Sequence, residues 1–294
     1  MISISDSGYA AEISEIGGAL HKLLFQGRDL VEPFNPDLPP VYAGDLLAPW
    51  PNRIAGGQYS FEGTNYQLPI NEIARNNSLH GLISSLSWTV TSKSESSLTL
   101  STILHAATYY PFEQAYAVTY SLSESGLTWT LAVENIGSTP APYGASVHPY
   151  LIASPGGSVN DWSLKMPARE YMQVDADRLL PIAVKACSVE NFEFDKERLI
   201  DDIFIDHAFK VDIKNPVHKI EVRAANREGV WMGFDSESHW IQIHTADRDG
   251  GATSRKCLAV EPMTCPPDAF NSGIDLIVLK PGQKHQLSWF IGAL

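Results

Sequence analysis

A chain of 294 residues with 44% hydrophobic and 19% charged side chains has ample material for a core and lacks the composition of a disordered segment. Its 34 acidic against 21 basic side chains leave a formal net charge of −13, which repels phosphodiester backbones and anionic lipid surfaces. Nucleic acid and membrane are therefore not expected partners, whereas a neutral small molecule is.

Three cysteines, Cys187, Cys257 and Cys265, form no C-x-x-C pair, and their odd number argues against a disulfide framework. Met1-Ile2-Ser3-Ile4-Ser5-Asp6 has neither the basic start nor the apolar run of a signal peptide, and no run approaches the roughly 18 apolar residues of a membrane span. The expected compartment is the cytoplasm.

Along the chain the dominant pattern is alternation, with aromatic and β-branched residues filling the runs, so strands are predicted. Residues 58–61 and 66–68 flank Glu62-Gly63-Thr64-Asn65 as a hairpin. The scheme recurs at 88–91 with 98–101, and at 116–122, which turns through Ser125-Gly126 into 127–133. Further strands are predicted at 219–224, 230–234, 240–245, 257–261 and 286–291. No segment has the period of a long amphipathic helix, and the charged stretch 191–202 supports a short turn at most. Turn signals recur from end to end without a linker or a solenoid period. The expected architecture is one all-β domain over residues 1–294, antiparallel, with little helix, either a large sandwich or a barrel.

Five places set ionisable side chains where a strand pattern does not ask for them. In Pro49-Trp50-Pro51-Asn52-Arg53-Ile54 two prolines make the segment rigid. Arg53 beside Asn52 suits the clamping of hydroxyls, and the Trp50 indole suits an apolar sugar face; the plainer alternative is a surface arginine. Asn76-Asn77-Ser78-Leu79-His80-Gly81 holds His80 within turn chemistry, either presented rigidly or idle in solvent. In Ser146-Val147-His148-Pro149-Tyr150-Leu151 the proline restricts His148 to extended backbone. Histidine is the natural proton carrier near neutrality, and the alternative is a satisfied histidine at a strand end. Asp206, between Ile205 and Ala208-Phe209, reads as a partly buried carboxylate that needs donors, which vicinal sugar hydroxyls supply. Glu261 ends the apolar run Cys257-Leu258-Ala259-Val260, just before a loop stiffened by Pro262, Pro266 and Pro267. A carboxylate there needs a partner, a proton or a task.

Other chemistries find less support. The chain has no dinucleotide-binding glycine motif, P-loop, nucleophile elbow or H-E-x-x-H. His239 and His244 lack a third ligand at metal spacing. Asp247-Arg248-Asp249-Gly250-Gly251 lacks the acceptor spacing and closing glutamate of a calcium loop and reads as a turn.

Taken together, the five segments resemble the aldose 1-epimerase (galactose mutarotase) family. The matching stretches are Pro51-Asn52-Arg53-Ile54, Asn77-Ser78-Leu79-His80-Gly81, Val147-His148-Pro149-Tyr150, Asp206-His207-Ala208-Phe209, and Glu261 with Pro267-Asp268-Ala269-Phe270-Asn271, in the family's order and over most of the chain. The resemblance implies a large antiparallel β-sandwich that uses no cofactor and no metal. Carried over position by position, it makes Glu261 the general base at the anomeric hydroxyl and His148 the general acid at the ring oxygen. It makes His80, Arg53 and Asp206 binders of hydroxyls, with Asn52 and Trp50 beside them. Two departures stand out: Tyr150-Leu151-Ile152-Ala153 replaces an aromatic-Asn continuation, which bears on the shape of that pocket edge, and Glu261-Pro262-Met263-Thr264-Cys265-Pro266 differs from the galactose enzymes, which bears on the preferred sugar.

The expected reaction is interconversion of the α and β anomers of a free aldohexose such as galactose or glucose, by a monomer or homodimer whose partner is the monosaccharide. The rivals are a hexose 6-phosphate 1-epimerase, which would gather extra Arg or Lys, a glycoside hydrolase pairing Asp206 with Glu261, and a non-catalytic sugar-binding domain.

Overall fold

The computed structural model describes residues 1–33, 42–212, 217–247 and 254–294. Beyond Asp247, the turn expected at 247–251 lies outside the described residues.

Alternation builds the larger sheet. Gln114–Ser123 and Gly126–Asn135 bury every second side chain, Tyr116, Val118, Tyr120 and Leu122 on one and Leu127, Trp129, Leu131 and Val133 on the other. They pair antiparallel with Val118 opposite Leu131, so the apolar residues share one face. The turn between them needs Gly126: its φ is +116°, and a Cβ there would lie 2.2 Å from the carbonyl oxygen of Ile291. Around this pair runs a nine-stranded sheet in the order Thr89–Lys93, Ser97–Leu104, Gln114–Ser123, Gly126–Asn135, Lys284–Ala293, Gly229–Asp235, Val217–Arg223, Ser163–Lys165 and Arg198–Leu199. The carboxy-terminal strand thus sits at its centre.

The second sheet has six strands, in the order Tyr150–Leu151, Leu258–Met263, Trp240–His244, Asp206–Val211, Ala168–Val174 and Pro181–Ala186. One of its faces, carrying Leu258, Val260, Ile241, Ile243 and Phe209, joins Trp129, Leu131 and Trp289 of the larger sheet in one hydrophobic cluster. A four-stranded amino-terminal sheet, Ile2–Asp6, Tyr9–Ile13, Leu20–Phe25 and Arg28–Asp29, contributes Ile4, Ala11, Ile13, Leu20 and Leu23 to the same cluster. The fold is an all-β antiparallel sandwich. Among the described residues the only α-helix is Ala269–Ser272, and no helix is long and apolar enough to cross a membrane.

The predicted strands all occur, most of them longer than their sequence signal. The hairpin is tighter than expected: Gln58–Phe61 pairs with Thr64–Gln67 across Glu62-Gly63 alone. Both loop residues have positive φ, +47° and +80°, the geometry that matches the twist of the flanking strands. The stretch 191–202 holds not only turns but a short strand, Arg198–Leu199, paired with Ser163–Lys165.

Asp206–Val211 escapes sequence reading because it does not alternate. Phe209 enters the main core while its neighbour Ala208 packs on the opposite face with Met172, Trp240 and Met263. Glu261 likewise does not end its strand. Leu258–Met263 runs on through Pro262 and is buried throughout. Val260 sends its N–H to the carbonyl of Pro149, 3.2 Å away, and Pro262, two residues on, faces the same way, so its missing donor removes no bond from the ladder with Trp240–His244.

Leu131 is fully buried between Val118 and Leu287 on the adjoining strands. Truncation in so closed a place leaves a cavity, and Leu131→Ala should lower stability by about 2–5 kcal/mol, read from the shift of the urea unfolding midpoint.

Candidate active site

The outer face of the six-stranded sheet carries a polar stripe. Residues directly opposite in antiparallel strands share a face, and the register sets Glu261 opposite Gln242, Gln242 opposite Ala208, and His244 opposite Asp206. Glu261, Gln242, His244 and Asp206 therefore point the same way. Small apolar clusters bound the stripe, with Tyr150, Ala246, Cys257 and Ala259 at one end and Met172, Ala208, Trp240 and Met263 at the other. Between them Glu261 is only 2% exposed. Gln242 Nε2 donates to Asp206 Oδ1 at 2.6 Å.

Loops bring the remaining groups over this face. Ser146–Val147 pairs with Leu46–Leu47, and His148 is then held by its backbone: its N–H donates to the Asp45 carbonyl at 3.0 Å and its carbonyl accepts from Gly44 at 2.9 Å. That places His148 Nε2 3.2 Å from Glu261 Oε1. Glu261 Oε2 is buried without a hydrogen-bond partner among the described residues.

His80 is positioned by Asn52. Arg53–Ala55 pairs with Asn77–Leu79, and the His80 N–H donates to the Asn52 carbonyl at 2.9 Å while the Asn52 N–H donates back to His80 Nδ1 at 3.2 Å. The second bond determines the tautomer: Nδ1 accepts, so the proton sits on Nε2. His80 and Asn52 both adopt left-handed backbone, at φ +62° and +57°, strain of the kind that gathers at functional sites. Gly81 follows at φ +76°, where a Cβ would lie 2.1 Å from the Ala48 carbonyl oxygen. Only glycine lets the chain pass there.

Burial, with the nearby His148 and Arg53, holds the pKa of His80 well below the ordinary imidazole value, so its ring is neutral. Arg53 is also buried, which opposes its charge, but Asp206, Glu72 and Glu261 outweigh that and keep it firmly protonated. Its Nε and Nη2 each donate to the Glu72 carboxylate at 3.0 Å. Burial drives Glu261 well above the usual carboxylate range, Asp206 adds to the effect, and Arg53 opposes it. A carboxyl so destabilised as an anion tends to keep its proton, and it does so 3.2 Å from an imidazole nitrogen.

His80, His148 and Glu261 offer ligand atoms within 4.8 Å of one another, close enough to suggest a metal. The tautomer opposes it. A metal-binding histidine donates from its second nitrogen to an acceptor, whereas His80 accepts there from Asn52, which leaves Nε2 a donor and not a ligand.

Of the residues expected from sequence, Glu261, His148, His80, Arg53 and Asp206 come together. Asn52 stands behind His80 and Arg53: its Oδ1 accepts the Arg53 N–H at 2.9 Å. Trp50 does not join them. Its indole is 1% exposed and packs against Phe270 and Tyr110, with ring centroids at 5.7 and 6.5 Å, so it braces the loop from within the core and offers no face to a sugar. Sequence reasoning missed Gln242, whose signal was an amide between Ile241 and Ile243 in a buried strand. It also missed Glu72 and Tyr42, which gave none. Tyr42, at φ +58°, sets its ring 4.6 Å from that of His80 and 6.3 Å from that of His148.

A carboxyl whose folded pKa stands above its unfolded value of 4.5 favours the native state while protonated, fully so below pH 4.5, and loses that contribution as pH rises through the folded value. Glutamine is neutral throughout and keeps a hydrogen bond for His148. Glu261→Gln should therefore be more stable than the parent at pH 7 by about 0.5–2 kcal/mol, an advantage that vanishes below pH 4.5 in urea titrations across pH.

Comparison with known proteins concerns the chain as a whole. The aldose 1-epimerase family model matches residues 1–289. The uncharacterized protein YihR of Escherichia coli is 36% identical over 288 residues, covering 97% of this chain and 91% of that protein. In fold, the GalM/aldose epimerase homologue of C. elegans superposes with a TM-score of 0.87 at 20% identity, over 100% of this chain and 98% of that one. A galactose mutarotase-like protein of Clostridium acetobutylicum gives 0.86 at 21% identity, over 99% and 94%. With a family match over nearly its whole length and a relative of this identity, the chain belongs to the aldose 1-epimerase family and is an isomerase of the epimerase type.

Proposed function

We propose that the protein interconverts the α and β anomers of a free aldohexose, such as galactose or glucose, in the cytoplasm, with Glu261 and His148 as the proton-transferring pair. The observation that carries this reading is the 3.2 Å approach of His148 Nε2 to Glu261 Oε1 on a buried face. The reaction needs one base and one acid beside adjacent oxygens, with a single proton between them.

A sugar entering between the two groups finds Glu261 as carboxylate and His148 as imidazolium. Glu261 takes the proton of the O1 hydroxyl, O1 becomes the carbonyl oxygen of C1, the bond from C1 to the ring oxygen breaks, and His148 gives its proton to that oxygen. The open-chain aldehyde rotates about C1–C2. On closure the former ring hydroxyl attacks the other carbonyl face, His148 takes back its proton and Glu261 returns one to O1. Each group contributes on the order of 10²–10⁴-fold, and each must hold a different protonation state at one pH. The positive charge of Arg53 supports Glu261 as an anion, the neutral His80 donates from Nε2, and Asp206 accepts a sugar hydroxyl. An unphosphorylated substrate is favoured because Glu72 already occupies two donors of Arg53, and because the net charge is −13.

Polarimetry of freshly dissolved α-galactose and α-glucose tests the proposal. Mutarotation should run well above the spontaneous rate, and Glu261→Gln and His148→Asn should each lower kcat by about 10²–10⁴-fold. The profile of kcat/KM against pH should be bell-shaped. Its acid limb should lie above pH 4.5, because Glu261 must lose a proton that burial retains. Unchanged rates in Glu261→Gln would refute the assignment, and release of nitrophenol from aryl glycosides would point to hydrolysis instead.

A further inference from the structure

Behind the cluster a second set of polar groups is tied end to end. The hydrogen bonds that Arg53 donates to Glu72 from Nε and Nη2 occupy one edge of its guanidinium, while its Nη1 makes no hydrogen bond among the described residues. The same Glu72 carboxylate accepts from Asn77 Nδ2 at 2.9 Å, and the backbones of Glu72 and Asn77 exchange N–H···O bonds at 3.2 Å in both directions. Asn77 is wholly buried. Its amide nitrogen also donates to the Arg178 carbonyl at 3.0 Å, and its Oδ1 accepts from Arg178 Nη2 at 3.1 Å. Arg178 then closes the turn before Asn77, through Nη2 to the Asn76 carbonyl at 2.7 Å and Nε to the Arg75 carbonyl at 3.0 Å. Asp175 shapes the loop that carries Arg178, accepting the backbone N–H groups of Asp177, Arg178 and Leu180 at 3.1, 2.6 and 2.9 Å. That loop joins Ala168–Val174 to Pro181–Ala186 at the far edge of the sheet.

A free guanidinium close to the buried Glu261 and the half-buried Asp206 pairs with them, because charge-assisted forked bonds are among the strongest a side chain makes. Here such a pair would fill the space between Arg53 and the stripe and would reduce the basicity of Glu261. The geometry points to Glu72 and Arg178 as positioning residues for the anomer interconversion: Glu72 holds Arg53 back from Glu261 and Asp206, and Arg178, through Asn77, holds Glu72 in place. A turn clamp of purely structural purpose would need the Arg178 bonds to Arg75 and Asn76 but not the shared carboxylate that links Asn77 to Arg53.

This inference rests on the acid–base assignment above, and a pH profile separates it from simple loop stiffening. Among the described residues the ionisable groups beside Glu261 are His148, His80, Arg53 and Asp206, with His244 further along the same face; of these only Arg53 is held by Glu72, whose other cationic contact is Arg75 at 3.5 Å. In Glu72→Gln, kcat/KM should fall by about 10²-fold, the scale of an ångström's misplacement, with KM rising. The acid limb of the profile should move to lower pH as Arg53 turns onto Glu261. Arg178→Gln should move both in the same direction by a smaller factor, and Arg178→Lys should not restore them, since one ammonium group does not reproduce the planar fork. All three variants are measured on protein shown to be folded by circular dichroism, and should Glu72→Gln not fold, the Arg178 variants decide. An acid limb that stays in place in the folded variants, or full rescue by lysine, overturns the inference. If Glu261→Gln itself retains wild-type rates, the parent assignment has failed; if Glu261→Gln is inactive and the limb does not move, only this inference has.

Discussion

Everything around the candidate site follows from one constraint, a carboxyl group enclosed within a strand whose two faces are both covered. Leu258 and Val260 commit one face of that strand to the main core, so Glu261 must point to the other, between two apolar clusters. An isolated carboxylate in such a place is costly. The structure offsets this in three ways at once: a proton held by raised basicity, the contact with His148, and the charge of Arg53. Among the described residues its Oε2 still has no hydrogen-bond partner. Burial that weakens a structural residue is what tunes an acid–base one.

The division of labour between sheet and loops is physical. The sheet supplies groups whose direction is set by register, Glu261, Gln242 and Asp206, and a one-residue slip would turn all of them into the core. The loops supply groups whose direction needs unusual backbone, His80 and Asn52 in left-handed geometry and His148 anchored through its own amide and carbonyl. Local rules are broken most where the loops meet the stripe, a pattern expected of functional and not of purely structural regions. The hydrogen bond from Asn52 to His80 Nδ1 also makes the neighbourhood a donor array and not a metal cage.

Strands that alternate were legible because their signal is local: in Gln114–Ser123 or Gly126–Asn135 each residue announces its face. Asp206–Val211 and the interior position of Glu261 were not, since a strand covered on both faces has no period to read, and Pro262 imitates a strand end. The site was legible only as separate motifs. Arg53, His80, His148, Asp206 and Glu261 each stood out as a polar group in the wrong surroundings, but their meeting depends on pairings between segments as distant as Asn52 and His80, or His148 and Glu261. Trp50 misled because a tryptophan beside an arginine looks the same in sequence whether its indole meets a ligand or, as here, Phe270 and Tyr110.

By itself the sequence determined the class of fold, antiparallel and all-β, and the inventory of side chains able to move a proton, because hydrophobic period and residue chemistry are properties of short segments. Tertiary structure alone decided which of those side chains lie within hydrogen-bond distance of one another, which nitrogen of His80 carries its hydrogen, and that Arg53 donates to Glu72. Distances of about three ångströms between residues 19, 28 and 113 positions apart in the chain are set by register and loop anchoring, and no local pattern encodes them.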